Sequence, residues 1–222
     1  MAMPACQNFE VAMTADSVLI IGAGGHGKVV ADAALRSGRT IVGFLDDRAD
    51  QISMIIGIPV LGPVASLDAR GNQFSQVIVA VGDAHKRMEL IERLLGLGLK
   101  IPVIVDPSAV ISRFATLAAG TVVLAQAAVN AGARIGMGVI VNTGATVDHD
   151  SVLGDGVHIC PGVHLGGNVV VQRTSWIGVG SSVRQGICVG TNVTVGAGSV
   201  VVSDVADGEM VMGVPAKSRA PK

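Results

Sequence analysis

From Val105 to Val201 every sixth residue is aliphatic, without one slip of phase: Val105, Ile111, Leu117, Val123, Val129, Ile135 and so on to Val189, Val195 and Val201. Four places after each of these sits a small or β-branched residue, as in Ala109, Ala115, Thr121, Ala127, Ser151, Ser175 and Ser199. A large inward side chain alternating with a small one suits a narrow solenoid, whose stacked turns must fill their interior without voids. Glycine recurs one or three places after the aliphatic position, as in Ile135-Gly136-Met137-Gly138 and Leu153-Gly154-Asp155-Gly156, where the chain must turn a corner. A period of six with this pattern predicts a parallel β-helix over residues 105–206.

The residues before the repeat follow another rhythm. An apolar run, Val18 to Ile21, leads into Gly22-Ala23-Gly24-Gly25-His26-Gly27, then a predicted helix through Arg36 that ends at Gly38, then a strand from Thr40 to Leu45 closing on Asp46-Asp47. That is a βαβ unit. Gly57 to Pro63 enters a short structured segment, and Gln76 to Val81 is a buried strand that stops at Gly82-Asp83. A helix is predicted from His85 to Leu95, capped by Asp83 and placing Met88, Ile91, Leu94 and Leu95 on one side. Gly96 and Gly98 end it, and Ile101 to Val105 forms a last strand. The expected organisation is a flexible lead over 1–16, a small doubly wound α/β unit over 17–104, the β-helix over 105–206, and a cap with a basic tail over 207–222.

Composition excludes several classes. The net charge is −1 and aromatic residues make up 2% of the chain, so there is neither a basic footprint nor a stacking platform for nucleic acid. Hydropathy is high, but no window approaches the roughly 18 unbroken apolar residues of a spanning helix. Met1 to Asp16 has no basic n-region and contains Glu10, so it makes a poor signal peptide. Cys6, Cys160 and Cys188 form no framework and no CxxC pair, which suits a reducing cytoplasm.

Gly22, Gly24 and Gly27 satisfy G-x-G-x-x-G, and the acidic pair Asp46-Asp47 lies near the distance expected of a ribose-binding carboxylate. Taken alone this is an NAD fingerprint, or a tight strand-to-helix turn that binds nothing. A dinucleotide fold needs two mononucleotide halves, however, and residues 17–104 have room for about one. A single nucleotide attached to something else fits better.

In the repeat, His149 stands between Asp148 and Asp150 at a turn position. A carboxylate on one imidazole nitrogen fixes the tautomer and raises the basicity of the other, which makes a general base. The bland alternative is a solvated surface histidine. His158 lies half a coil further on, so on one prism the two would project from different edges and meet only across a symmetry-related neighbour. The spacing among His149, His158 and His164 lacks the short-range pairs of zinc sites, so no metal is expected.

These features together resemble the bacterial nucleotide-aminosugar N-acetyltransferases of the hexapeptide acyltransferase superfamily, the enzymes of bacillosamine and perosamine type. The residues that carry the resemblance are Gly-Gly-His-Gly at 24–27, Asp46-Asp47, Asn142-Thr143, Val147, His149-Asp150, His158 and the ending Gly213-Val214-Pro215-Ala216-Lys217. The resemblance implies a left-handed β-helix with about 18 residues per coil, trimers with active sites between subunits, and acetyl-coenzyme A as co-substrate. It implies transfer to the 4-amino group of a UDP- or GDP-linked 4-amino-4,6-dideoxyhexose used in surface glycan synthesis. It further implies that His149 is the catalytic base and Asp150 the acid that raises its basicity. His158, Val179 and Ala197 would contact acetyl-coenzyme A, and Gly24, Gly25, His26, Asp46, Asp47, Gly82 and Asn142 the nucleotide sugar. Two rivals stay open: a sialic acid or sugar O-acetyltransferase on the same fold, and a non-catalytic scaffold binding NAD or a nucleotide sugar.

Overall fold

A computed structural model describes residues 16–67 and 74–219. Residues 1–15 of the expected lead lie outside the described residues. The chain first builds a five-stranded sheet in the order β3-β4-β2-β1-β5. Its strands are β1 (Ser17–Ile21), β2 (Thr40–Leu45), β3 (Met54–Ile55), β4 (Ile58–Gly62) and β5 (Gln76–Val79). The central β1 pairs in parallel with β2 and β5, and β3 closes the edge as an antiparallel hairpin with β4. Val18 to Ile21 are wholly buried, as the uninterrupted apolar run requires of a strand covered on both faces.

Two helices follow. α1 (Gly25–Arg36) begins inside the glycine loop with Gly24 as its N-cap, and α2 (Ala84–Gly96) begins behind Asp83, whose carboxylate accepts from the Lys86 amide at 2.8 Å. The expected strand from Ile101 to Val105 is not one. Only Lys100 bridges to β5, Pro102 has no N–H to give, and the strand proper is β6 (Ile104–Val105), which already belongs to the solenoid.

The solenoid runs as two-residue strands spaced six apart, from β6 to β22 (Val200–Val201). They stack on three faces. The first carries β6, β9 (Val122–Val123), β12 (Ile140–Val141), β15 (His158–Ile159), β18 (Trp176–Ile177) and β21 (Thr194–Val195). The second runs from β7 (Val110–Ile111) to β22, and the third from β8 (Thr116–Leu117) to β20 (Cys188–Val189). Each residue pairs in parallel with the one a coil away, as Ala128 does with Val110 and Thr146. β23 (Met210–Met212) joins the first face beside β21, and β24 (Lys217–Arg219) turns back antiparallel to cap it.

The second residue of each strand points inward, and this is the aliphatic series found in the sequence; from Val123 to Val201 all of its members are buried. The small inward series is explained by its hydroxyls. Ser151, Ser175 and Ser181 are fully buried, and each donates to a carbonyl in the next coil, at 3.2, 2.6 and 2.9 Å. Buried polar groups are thereby satisfied.

The glycines serve two purposes. Gly138 turns a corner at φ +62, whereas a Cβ at Gly154 would stand 2.6 Å from the Arg173 amide of the next coil.

The α/β unit sits on the first face. Ile104, Val122 and Leu124 join its core. α2 lies along the corner between the third and first faces, with Ile91 and Met88 over Gly120, Gly138 and Gly156.

Candidate active site

The junction is held by an arginine. Arg87, in the first turn of α2, has no exposed surface and makes four hydrogen bonds, all to carbonyls. Nε donates to Gly138 at 2.8 Å and Nη2 to Gly156 at 2.6 Å, on adjacent coils; Nη1 donates to Val81 and Gly82, both at 2.8 Å, at the end of the β5 turn. The guanidinium thus ties the helix, the sheet and two coils at one point. Burial lowers its pKa to about 10, which leaves it charged at neutral pH.

Beside it lie two imidazoles. His26, from the start of α1, and His158, from the first face, have ring centroids 6.3 Å apart. Burial first, then the Arg87 charge, pushes His26 down to about 4 and His158 down to about 3, so both are neutral at pH 7. The tautomer of His158 follows from its neighbour. Asn142 Oδ1 accepts from the Thr143 amide at 2.8 Å, which turns Asn142 Nδ2 toward His158 Nε2 at 3.1 Å. Nε2 is therefore the acceptor, and Nδ1 carries the proton as a free donor. Asn142 holds this histidine in orientation. His26 Nε2 is buried and has no partner among the described residues.

His149 and Asp150 stand elsewhere, at the corner between the second and third faces. Asp150 takes φ +59, a conformation aspartate tolerates, and its Oδ2 lies 2.8 Å from His149 Nδ1. Asp148 accepts from the His149 amide at 2.7 Å and from Asn130 Nδ2 at 2.9 Å, fixing the turn. The hydrogen bond that His149 Nδ1–H donates to Asp150 raises the His149 pKa above its ordinary value. Glycines flank the pair on both sides: a Cβ at Gly167 would overlap the imidazole, and one at Gly132 would overlap the Asp150 carboxylate. Nε2 is left as the free nitrogen.

A cleft of about 430 Å³ opens at the carboxyl ends of β1, β2 and β5, between Gly22, Asp46, Arg48, Val64, Lys86 and Leu90. The acidic pair does not face it as free carboxylates. The Arg48 guanidinium grips Asp46 at 2.8 and 3.0 Å and the Ala23 amide adds 2.8 Å, holding its carboxyl well below the usual range. Asp47 accepts from the Val64 amide at 3.0 Å. Besides the acidic pair, the charged groups lining this cleft are Arg48, which is paired with Asp46, Lys86 and Glu89, and the sequence reading singled out none of the three.

Gly22 and Gly27 are fixed by packing, since a Cβ on either would strike backbone, whereas Gly24, Gly25 and Gly82 have open space above them. Val179 and Ala197 stack a coil apart, exposed, at the corner between the first and second faces. One chain thus gathers Gly24, Gly25, His26, Gly82, Asn142 and His158 near the junction and keeps His149-Asp150 on another edge.

Residues 17–94 match the family model described as the PglD N-terminal domain. The acetyltransferase domain of PglB from Neisseria gonorrhoeae FA1090 is 45% identical over 92% of this chain and 100% of its own, with a TM-score of 0.88. The chain belongs to the bacterial sugar N-acetyltransferases of the left-handed β-helix type. Within that family, the perosamine N-acetyltransferase from Caulobacter crescentus, solved with CoA and GDP-perosamine, is 38% identical over 92% of this chain and 97% of its own, TM-score 0.89. WeeI from Acinetobacter baumannii AYE is 26% identical over 91% and 99%, TM-score 0.82. In this family member no helix among the described residues is long and apolar enough to cross a membrane, and no group of three His, Cys, Asp or Glu residues is placed to hold a metal ion.

Proposed function

We propose that this acetyl-coenzyme A-dependent sugar N-acetyltransferase acetylates the 4-amino group of a nucleotide-linked 4-amino-4,6-dideoxyhexose. The observation that carries the reading is the His149–Asp150 pair, with Nδ1 held and Nε2 free, in a chain 45% identical to an acetyltransferase domain. Acetyl-coenzyme A supplies the acetyl group as a thioester. His149 Nε2 takes the proton that the acceptor amine loses, and Asp150 stabilises the imidazolium that results. His158 Nδ1–H is a neutral donor suited to a carbonyl oxygen, and the exposed backbone at Val179 and Ala197 flanks a route for the pantetheine arm.

The α/β unit, residues 17–104, holds the nucleotide in the cleft under Arg48 and Lys86, and the β-helix, residues 105–206, carries the transfer. His149 and His158 project from different edges of one prism. A complete site therefore takes His149 from a second copy, and threefold assembly about an axis beside and parallel to the solenoid supplies it.

The test is thiol release from acetyl-coenzyme A against UDP- and GDP-linked 4-amino-4,6-dideoxyhexoses, for the wild type and His149→Ala. Turnover with one nucleotide series, lost in the variant, is the expected result. Release with sialic acid but with no amine would assign an O-acetyltransferase instead.

A further inference from the structure

Apolar packing of Ile91 and Met88 would dock the α/β unit on the solenoid, yet the seam also holds a buried cation. Arg87 has no exposed surface, and its hydrogen bonds go to the carbonyls of Val81, Gly82, Gly138 and Gly156. The Asp83 carboxylate, engaged by the Lys86 amide, acts on it only through space. A buried charge without a paired counter-ion is a poor source of stability. What it supplies is direction, because hydrogen bonds constrain geometry and apolar contacts do not.

Ile91 and Met88 over the glycine corners would let α2 slide along the solenoid, whereas a planar guanidinium fork accepts one arrangement of carbonyls. Those carbonyls belong to different parts of the site. Val81 lines the nucleotide cleft, and so does Lys86, the neighbour of Arg87 on α2. Gly156 stands two residues before His158, and Gly138 leads into β12, after which Asn142 orients that histidine. Two further polar links, Arg36 to Asp106 at 2.8 Å and Arg39 Nη2 donating to the Val103 carbonyl at 3.3 Å, tie the unit at the opposite end of its sheet, away from the cleft. At the cleft end the register depends on Arg87.

We infer that Arg87 is a positioning residue for the acetyl transfer, one that sets the nucleotide cleft in register with His158. The inference rests on the proposed nucleotide-linked aminosugar substrate, which is held in the cleft and must present its amine to the acetyl group beside His158. A misplacement of about 1 Å between reacting groups is enough to lose roughly 10²-fold in rate, even when it arises far from the chemistry. The charge acts in the same direction: burial, and then the Arg87 cation, favours the neutral His158 ring, the form whose Nε2 accepts from Asn142.

Arg87→Lys and Arg87→Gln test this, the first keeping the charge but losing the fork, the second losing both. Steady-state constants are measured well below each variant's unfolding midpoint, with acetyl-coenzyme A and whichever UDP- or GDP-linked 4-amino sugar the wild type uses. The bare nucleotide and coenzyme A are titrated separately by calorimetry. The expected result is a kcat lowered roughly tenfold to a hundredfold in Arg87→Lys and at least as far in Arg87→Gln, while the Kd of bare nucleotide and of coenzyme A each stay within about twofold. Each half of the site is then intact and only their alignment is lost. An Arg87→Lys enzyme with kcat within about threefold of wild type overturns the inference, because the charge alone then suffices. So does a loss of affinity for both ligands, which makes Arg87 a residue that merely holds the fold, or a loss confined to bare nucleotide, which makes it part of the cleft. A wild type that turns over no amino sugar overturns the functional reading before any variant is compared, and the inference with it.

Discussion

Gly167 is one coil beyond His149, and the imidazole rests on it. A Cβ there would stand 2.6 Å from His149 Cε1 and 3.0 Å from Cδ2, closer than such atoms pack, and the ring is the part free to move. Gly167→Ala is therefore expected to swing the imidazole off the Asp150 carboxylate while leaving the coil intact. Gly167 does not need a left-handed backbone, so the fold tolerates alanine, and the gain of roughly 0.4–1 kcal/mol from a stiffer unfolded chain roughly offsets lost ring packing. Thermal unfolding should shift little. Activity should not be spared: a positioned general base contributes about 10²–10⁴ in rate, so kcat/KM is expected to fall on the order of a hundredfold, roughly 2.7 kcal/mol of transition-state stabilisation. The assay is thiol release at limiting acceptor for the wild type, Gly167→Ala, His149→Ala and the double variant. If both changes act through one imidazole, the double variant is no slower than His149→Ala. A Gly167→Ala enzyme within about threefold of wild type, or fully multiplicative losses in the double variant, would refute the placement of the base.

Three more outcomes are expected. Asp150 favours the protonated form of His149, so kcat/KM should rise with pH through a value above about 6.5; in Asp150→Asn that limb moves to lower pH while the plateau falls, which a pH–rate profile reads directly. Arg87→Met leaves four carbonyls without their donor, those of Gly138 and Gly156 buried, and should cost on the order of 3–5 kcal/mol in urea unfolding, with Arg87→Lys intermediate because an ammonium cannot span all four. Gly138→Ala and Gly144→Ala share left-handed backbones, but only the first meets a neighbour, Ile91 Cδ1 at 2.6 Å. Both should lose about 1–2 kcal/mol to strain, and Gly138→Ala a further ~1–3 to overpacking, measured by thermal unfolding.

The repeat was legible because its period is strict: inward residues recur every six places, and neighbours in space sit at fixed offsets. His149 and Asp150 were legible for the simpler reason that they are adjacent in sequence. Other features arise only on docking. Lys86-Arg87 in the first turn of a helix looks like a solvated face, and nothing local says that Arg87 enters the seam between two folds. The acidic pair after β2 matched a ribose-binding pattern by distance alone; Arg48, two residues on, had already engaged Asp46. Ile101 to Val105 had strand composition, but Pro102 removes a ladder donor and the chain changes partners there.

The inward hydroxyls have a consequence for how the molecule opens. Ser151 accepts from the Val169 amide, Ser175 from Val193, Ser181 from Ser199, and Ser199 from Gly213, so each coil carries a latch that only the coil after it can close. A chain latched in this way unzips from its free end. The antiparallel turn of β24 onto β23 closes that end, and loosening it should send a wave of amide exchange back toward Trp176 one coil at a time.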